Sequence, residues 1–253
     1  MTTAEVEALF ARTLAGDYEA EDAWDAVRAL RLNGSREIFE HAAAWCLAED
    51  QRKRGRAADV LCQLQASGDR KFCDESYTLL AKMLEKEQDP NVLDAILVGL
   101  GHLDNPTAVP LILRYLDHPD RLVRFAVAVA LGHFSNDAQS AGGLLKLTSD
   151  PEDEVRDWAV FGLGVMGDAD SPEIREALLR CLNDEDDDVR EEAAVGLGMR
   201  RDPRLIPVLL TMLEAPSIKV RVAEAAAALL GMDKDPPEWT AADYRAAVAK
   251  IEE

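Results

Sequence analysis

The sequence contains few cysteines, few aromatic residues and no long apolar run. Its four cysteines form no CxxC pair, and each lies among apolar neighbours on a predicted helix: Cys46, Cys62, Cys73 and Cys181. This predicts buried free thiols in a reducing compartment. The first five residues lack the basic start and the apolar core of a signal peptide. Because no apolar stretch approaches membrane-spanning length, we expect a cytoplasmic protein without membrane contact.

Catalytic and metal-binding motifs are also missing. No G-x-S-x-G, no P-loop and no Cys-His constellation occurs. The four histidines form no HxxxH or HxH pair, which argues against zinc. The acidic run 184–188 lacks the glycine and the ligand spacing of a calcium loop, so we interpret it as the start of a helix. We therefore predict no catalytic residues, no metal and no cofactor.

Negative charge dominates the ionisable residues. Asp and Glu number 48 against 28 Lys and Arg, which gives a net charge of −20. Such a surface repels nucleic acid and anionic lipid, and it attracts basic partners at long range. Two interpretations of the acidity stay open, namely attraction of a basic protein and solubility alone.

One pattern recurs between residues 89 and 231, and its clearest copies read Val-Arg-x-x-small-x-x-x-Leu-Gly. The Leu-Gly pairs lie 31, 32, 34 and 33 residues apart, with their leucines at Leu100, Leu131, Leu163, Leu197 and Leu230. A recurrence of this length is typical of stacked helical hairpins, none of which buries its apolar face alone. No stretch alternates with period two, so we expect no sheet.

The whole chain, 1–253, is predicted to be a single all-α domain, a right-handed α-α superhelix of about seven helix pairs plus a C-terminal helix. Residues 1–72 form divergent N-terminal repeats with a longer surface loop around 66–73, residues 73–232 the regular repeats, and residues 233–253 a capping helix. Capping boxes predict helix starts after Thr2 and Thr240. First helices of the regular repeats are expected at 77–86, 108–115, 138–147, 174–182 and 205–213. A capping side chain is expected wherever one of five residues precedes a proline: Asp89, Asn105, Asp150, Ser171 and Asp202.

The segments 150–167 (DPEDEVRDWAVFGLGVMG) and 184–198 (DEDDDVREEAAVGLG) resemble the HEAT-like repeats first noted in phycobilin lyases. This resemblance covers nearly the whole chain and implies a HEAT/ARM-like solenoid, in which second helices line a concave surface. A closer likeness, carried by residues 24–65, 155–162 and 186–213, is to bacterial HEAT-repeat proteins encoded beside Rhs-type toxins and regarded as immunity proteins. It implies a protein that holds another protein.

The predicted partner-binding residues lie on the face of each second helix opposite its core. With the repeat valine at position zero, positions 0, +4 and +8 form the core stripe, and positions +2, +6 and +10 lie opposite. The latter should form an exposed ridge, joined by two residues at +3: Asp94, Val98, His102, Phe125, Val129, His133, Asp157, Phe161, Val165, Glu191, Val195 and Met199, with Trp158 and Glu192. Aromatic anchors edged by carboxylates suit a basic, partly apolar partner. The alternative is that these side chains pack between neighbouring helices.

Arginines at position +1 lie at the edge of the core stripe. Arg124, Arg156 and Arg190 are each expected to bridge to an aspartate in a neighbouring turn, such as Asp117, Asp150 or Asp184. In the last repeat Ala223 takes the arginine position, which predicts an irregular second helix. The basic cluster 52–56 is interpreted as solvated helix surface with local ion pairs, although it could also contact an acidic patch of a partner.

These observations predict non-catalytic binding of a basic protein on the concave face, by an immunity-type inhibitor or an adaptor. A phycobilin-lyase-type subunit or chaperone is the alternative, since its chemistry rests largely with the bound pigment. Of two enzymes built from related repeats, the sequence excludes the first, and its net charge argues against the second. Deoxyhypusine hydroxylase binds iron through His-Glu pairs, which this sequence lacks, and HEAT-like DNA glycosylases need a basic groove.

Overall fold

A computed structural model of the chain describes residues 1–64, 72–215, 217–232 and 239–251. Within these ranges it consists of fifteen α-helices, three short 3-10 segments and one π-helical turn, with no β-strand. The predicted all-α fold is therefore confirmed. The expected surface loop at 66–73 falls almost entirely outside the described residues, and the Asp-Pro-Pro break at 235–237 falls wholly outside them.

The helices alternate as seven pairs followed by one more helix, as the repeat pattern predicts. The first helices are α1 (Thr3–Thr13), α3 (Arg36–Trp45), α5 (Cys73–Leu84), α7 (Val109–Ile112), α9 (Ala138–Leu147), α11 (Pro172–Cys181) and α13 (Ile206–Met212). The second helices are α2 (Glu21–Asn33), α4 (Gln51–Leu61), α6 (Pro90–His102), α8 (Arg121–Gly132), α10 (Asp153–Phe161), α12 (Asp187–Met199) and α14 (Val220–Leu230). The last helix is α15 (Ala241–Ala249).

The chain divides into two compact units, unit 1 (Met1–Ala130) and unit 2 (Leu131–Glu253). Unit 1 contains α1 to α7 and most of α8, and unit 2 contains α9 to α15. That all seven pairs belong to one continuous domain remains a prediction.

Helix starts follow the capping signals of the sequence. The Thr2 hydroxyl accepts a hydrogen bond from the Glu5 N–H at 3.3 Å, and the Glu5 carboxylate accepts one from the Thr2 N–H at 2.7 Å. Thr240 and Asp243 form the same capping box at α15. Four more residues cap the segment that begins with the following proline: Asp89, Asn105, Ser171 and Asp202. These caps satisfy N–H groups that a helix cannot satisfy internally.

Two local expectations were wrong, and a third was met only in part. Asp150 does not cap a helix, because α10 begins only at Asp153, with Glu152 as its N-cap. The helix expected at 205–213 is confirmed as α13, whereas the segment 108–115 is α-helical only over α7 and continues as a 3-10 turn at 113–115. Each of the two follows a 3-10 turn, at 106–108 or 203–205, and contains a further proline, Pro110 or Pro207. Proline lacks the N–H that an α-helix needs, which favours the tighter turn. Finally, α14 is regular despite Ala223, since a run of alanines favours helix.

The core stripe of the second helices is confirmed. The residues at positions 0, +4 and +8 are fully or almost fully buried in the four clearest repeats: Val92, Ile96, Leu100, Val123, Val127, Leu131, Val155, Ala159, Leu163, Val189, Ala193 and Leu197. Leu30 and Leu61, the corresponding leucines of the divergent repeats, are buried too. The apolar period therefore sets which side of each second helix packs inward.

The position +1 arginines close the turn between the two helices of a pair. The Arg156 guanidinium donates to the main-chain carbonyls of Asp150 and Pro151 at 2.9 and 3.2 Å. It also donates twice to the Asp184 carboxylate of the next pair, at 2.8 Å each, which confirms the predicted bridge. The arginines Arg54, Arg124 and Arg190 likewise bond the carbonyls six and five residues earlier. Each arginine thus satisfies two carbonyls that the turn leaves without helical partners.

Candidate functional site

The second-helix face, meaning the residues at +2, +3, +6 and +10 of the second helices, is less exposed than predicted. Only three of the predicted partner-binding residues are exposed, namely His102, His133 and Met199. Three are buried, namely Val129, Glu191 and Val195. The remainder are half-buried: Asp94, Val98, Phe125, Asp157, Trp158, Phe161, Val165 and Glu192. The expectation of an exposed ridge was therefore wrong for its buried members.

Close approach of neighbouring second helices explains this burial in unit 2. A β-carbon on Gly196 of α12 would lie 2.7 Å from the α-carbon of Gly164, in the π-helical turn (Gly162–Met166) that continues α10. A β-carbon on Gly198 would lie 2.5 Å from the Ala225 carbonyl oxygen on α14. At such distances a +6 side chain such as Val195 packs against its neighbours, which the 100° rotation of a single helix does not reveal.

In unit 2 the face carries an aromatic pair. Trp158 and Phe161 on α10 meet edge to face, with ring centroids 5.6 Å apart. Both are half-buried, so each ring offers part of its surface outward. A rigid aromatic pair of this kind gives a large contact area at a low cost in side-chain entropy, which is typical of interface anchors.

Acidic residues surround this aromatic pair, but some of their carboxylates already have cationic partners within the chain. Glu192 on α12 is held by the Arg221 guanidinium, whose Nε donates to Oε1 at 2.6 Å, and Arg221 also bonds Glu224 at 2.5 Å. The Arg221 guanidinium lies 5.8 Å from the Phe161 ring centroid. Glu191 is buried and bonds Lys219. Glu191 and Glu192 therefore already have cationic partners within the chain.

Asp157 is a half-buried acidic residue of this region that forms no ion pair with any described residue. Its Oδ1 is buried and accepts no hydrogen bond from any described residue. Burial, followed by repulsion from Glu192, Asp188 and Asp186, raises the pKa of Asp157 to about 6. A half-buried carboxyl left unpaired in this way is costly to ionise, and an external cation would relieve that cost.

In unit 1 the face opens into a cleft of about 620 Å³. Its wall comes from the segment before α2, from the first turns of α4 and α6, and from the start of α8. The described residues that line it are Gly16, Asp17, Tyr18, Glu19, Gln51, Arg52, Gly55, Asp89, Asn91, Val92, Asp94 and Leu122. We call this space the N-terminal cleft. Of the predicted binding residues, only Asp94 lies in it; Val98, His102 and Phe125 do not.

Asp94 has the same relation to its surroundings as Asp157. It is half-buried, and no described residue donates a hydrogen bond to it or forms an ion pair with it. Burial, followed by repulsion from Asp59 and Glu19, raises the pKa of Asp94 to about 7. The two carboxyls occupy equivalent +2 positions, on α6 and on α10.

The basic cluster 52–56 forms local ion pairs as predicted, but the expected exposure to solvent is wrong for Arg56. Arg56 is completely buried, and it donates to the Thr13 carbonyl at 2.9 Å and to the Asp59 carboxylate at 3.0 Å. Its guanidinium also lies 3.6 Å from the centre of the Tyr18 ring. The Tyr18 hydroxyl donates to Asp59 at 2.6 Å. This network fixes Tyr18 in the wall of the N-terminal cleft, so the cluster builds the site from behind.

Sequence reasoning missed Tyr18, Glu19 and Arg221. The first two follow Gly16-Asp17, where the sequence predicts a break between the first helix and a second helix that begins at about Glu19. Arg221 lies 29 residues after Glu192, close to the repeat length, and that spacing was the available signal for their contact. Contacts between neighbouring repeats can be predicted by pairing residues about one repeat length apart. The 100° rotation per residue within a single helix does not reveal them.

The cysteines do not provide a nucleophile. All four are free and buried, as predicted. Burial is the largest cause that raises the pKa of Cys46 to about 12 and that of Cys181 to about 11, and it also raises that of Cys62. A thiol of this kind stays protonated at neutral pH and reacts poorly. Among the described residues no group of three or more His, Cys, Asp or Glu is arranged to hold a metal ion.

No helix in the described parts of the chain combines the length and the apolar character that crossing a membrane requires.

The chain is similar to repeat proteins by sequence model and by structure. The family model for HEAT repeats matches residues 77–164 and 141–230, which together span more than half of the chain. No curated protein matches significantly. The structure of YibA from Escherichia coli is 22% identical with a TM-score of 0.74, and the alignment covers 99% of this chain and 95% of that one.

Two other solved structures show the same fold at lower identity. The complex of CpcE and CpcF of phycocyanin lyase from Nostoc sp. PCC7120 is 18% identical with a TM-score of 0.52, covering 99% of this chain and 93% of that one. Kap121p is 14% identical with a TM-score of 0.71, covering 91% of this chain and 29% of that one. At these identities the likeness concerns fold and not function.

Proposed function

Because this chain belongs to the HEAT-repeat family, a repeat scaffold compatible with protein binding, we propose that it binds a basic protein through its second-helix face. The proposal is non-catalytic: the face supplies anchors and charge, and the partner supplies the complementary cations. The finer version is an immunity-type inhibitor that holds a basic toxin domain, with an adaptor role as the broader form.

The observation that carries the proposal is the equivalence of Asp94 and Asp157. Both occupy position +2 of a second helix, and both are half-buried carboxyls without a partner among the described residues. A buried carboxyl is normally paired, since desolvation of an unpaired charge is unfavourable. An unpaired carboxyl occupies the same repeat position in each of the two units. Such carboxyls are expected on a surface whose cationic partners belong to another molecule.

The surroundings of Asp157 support the same function. The Trp158 and Phe161 rings provide half-buried aromatic surface next to this carboxyl. Interface anchors of known complexes are enriched in aromatic residues, and charged groups at the rim mainly raise the association rate. The net charge of −20 adds long-range attraction for a basic partner.

The experiment uses the full chain to capture a binding protein from the source organism, which is then identified, purified and titrated. We expect a partner of high isoelectric point whose association slows as salt increases. The double variant Asp157→Asn/Trp158→Ala should bind this partner with an affinity at least about tenfold lower, because it lacks one charge and one aromatic anchor. Glu185→Gln, at a 90% exposed carboxylate, and Leu47→Ala, at an 84% exposed leucine, serve as matched controls.

An acidic partner, or a double variant with the affinity of the controls, would contradict the proposal. The pigment-lyase alternative is tested in parallel by adding a linear tetrapyrrole and recording its absorbance spectrum. A spectral shift that saturates at one pigment per chain would favour the lyase-type function over protein binding.

A further inference from the structure

The N-terminal cleft is a concave space that is large enough to admit a side chain of another molecule, and it is not a flat contact surface. Its volume of about 620 Å³ falls within the range of roughly 300–1,000 Å³ that is usual for ligand pockets. Val92 and Leu122 contribute apolar wall, and Gly55 leaves room for the Tyr18 ring, whose hydroxyl lies 2.8 Å from the place of a β-carbon. An extended side chain with a polar end would fit such a space.

Charge in the cleft is unbalanced. Four carboxylates line it among the described residues, from Asp17, Glu19, Asp89 and Asp94, against the single guanidinium of Arg52. Arg52 is occupied, because it donates to the Gly16 carbonyl at 2.8 Å at the edge of the cleft. Asp89 is also occupied, as the N-cap of α6. Glu19 accepts a hydrogen bond from the Trp24 indole N–H at 3.0 Å, and Asp17 is exposed to solvent. Asp94 is therefore the half-buried carboxyl of the cleft that has no partner among the described residues.

The chemistry of the wall favours a guanidinium over other cations. A metal ion such as calcium needs six to eight oxygen ligands, and no metal-holding group occurs among the described residues. A guanidinium is planar and weakly hydrated, and its five donors can reach several carboxylates at once. Its three methylenes would lie along Val92 and Leu122.

We propose that the N-terminal cleft receives one arginine side chain of the protein partner, with its guanidinium against the carboxylate of Asp94 and near that of Glu19. This inference rests on the proposed function, because it names the chemical group by which a basic partner is recognised in unit 1. Arg56 and Asp59 hold Tyr18 in the wall of the cleft from behind.

Such a site has a defined pH dependence. The charges of Asp59 on α4 and Glu19 before α2 act on Asp94. Tyr18, Arg52, Asp89 and the apolar Leu122 of α8 line the same cleft. With a pKa of about 7, only about a tenth of the Asp94 carboxyls are ionised at pH 6. Because the arginine binds the ionised form, affinity should rise about tenfold between pH 6 and pH 8.

The test titrates the full chain with the capped tripeptide acetyl-Gly-Arg-Gly-amide and follows amide chemical shifts by NMR. We expect saturable binding of one peptide per chain, in about the millimolar range for a single side chain, with shifts at Tyr18, Glu19 and Asp94. The citrulline peptide, a neutral isostere, should bind at least about tenfold more weakly. Asp94→Asn should bind equally weakly at both pH values, Glu19→Gln should bind more weakly than the native chain, and Glu185→Gln should match the native chain.

Equal binding of the arginine and citrulline peptides, or native affinity and pH dependence in Asp94→Asn, would overturn the proposal. The corresponding peptide with lysine in place of arginine, acetyl-Gly-Lys-Gly-amide, should bind more weakly. If it bound as tightly or more tightly, the choice of a guanidinium would be contradicted. Binding of the captured partner shows whether the arginine site alone is wrong or whether the proposed protein-binding function is wrong as well. If it binds Asp94→Asn with native affinity but not the unit 2 double variant, then the cleft assignment fails while the protein-binding function stands.

Discussion

The α-carbon of Gly164 lies 2.7 Å from the position that a β-carbon on Gly196 would occupy. The backbone that continues α10 and the backbone of α12 therefore touch directly, with no side chain between them. Gly164 belongs to the repeated Leu-Gly pair, and Gly196 directly precedes the next pair, Leu197-Gly198. The glycines of the repeat thus permit close packing of second helices.

Replacement of Gly196 by alanine should destabilise the protein. The new methyl group would meet the backbone of Gly164 and the side chain of Leu178, and overpacking of this kind costs about 1–3 kcal/mol. Gly142→Ala is the matched control, because a β-carbon there has open space within α9, and alanine should stabilise the helix by about 0.5–1 kcal/mol. Urea unfolding measures the change in the free energy of unfolding for both variants. If both variants were stabilised, or both destabilised, this explanation would be contradicted.

Arg200 should be essential for the stability of unit 2. Its buried guanidinium donates to five main-chain carbonyls: Leu163, Gly164, Gly167, Ala169 and Gly196. Lysine cannot reach them all, so Arg200→Lys should lower the free energy of unfolding by about 2–4 kcal/mol through carbonyls left without donors. Arg180→Lys, at an exposed arginine of α11, should change it by less than about 0.5 kcal/mol. Comparable losses in the two variants would argue against the role of Arg200.

Removal of the Asp94 charge should stabilise the unbound protein at alkaline pH. The pKa of Asp94 is raised to about 7 in the folded state, against roughly 3.9 in the unfolded chain. Between these values the folded chain binds more protons, so the free energy of unfolding falls as pH rises. Asp94→Asn should therefore be more stable than the native chain by about 1–3 kcal/mol at pH 8, after allowance for partial exposure, and about equal at pH 4.

Thermal unfolding at the two pH values measures this difference. A variant less stable than the native chain at pH 8 would show that the Asp94 carboxylate has a stabilising partner. If Asp94→Asn is more stable than the native chain and also binds arginine more weakly, then Asp94 serves binding at a cost in stability.

Arg56 and Asp59 should prove energetically coupled. Among the described residues, Arg56→Met leaves the buried Asp59 carboxylate with Tyr18 as its one side-chain partner. The loss should cost about 3–5 kcal/mol of the free energy of unfolding. In the double variant Arg56→Met/Asp59→Leu the uncompensated charge is absent, so the loss should be smaller than the sum of the single losses by at least about 1 kcal/mol. Denaturant unfolding of the four proteins gives the coupling, and additive losses would contradict it.

Sequence periodicity predicted the helices and their core faces, because burial of valine and leucine at fixed spacing depends on one helix at a time. The caps at Thr2 and Thr240 were predictable for the same reason, since they act within one turn. Second prolines in a helix, such as Pro110, escaped notice although their effect is equally local.

The candidate site was only partly predictable, because its properties depend on contacts between repeats. Asp94 and Asp157 were placed on the correct face, but their lack of partners follows from the packing of adjacent helices. Val195 and Glu191 share that face and are nevertheless buried. Arg56 was expected in solvent, and its burial under Tyr18 depends on a segment 38 residues earlier in the chain.

Hydrogen exchange of the chain with and without its purified partner tests the central claim most directly, namely that the second-helix face binds another protein. We predict that amides of α10 and α12, and those of α6 around Asp94, exchange more slowly in the complex, while α9 and α11 are unchanged. Slower exchange confined to the first helices α9 and α11, with α6, α10 and α12 unaffected, would contradict the account.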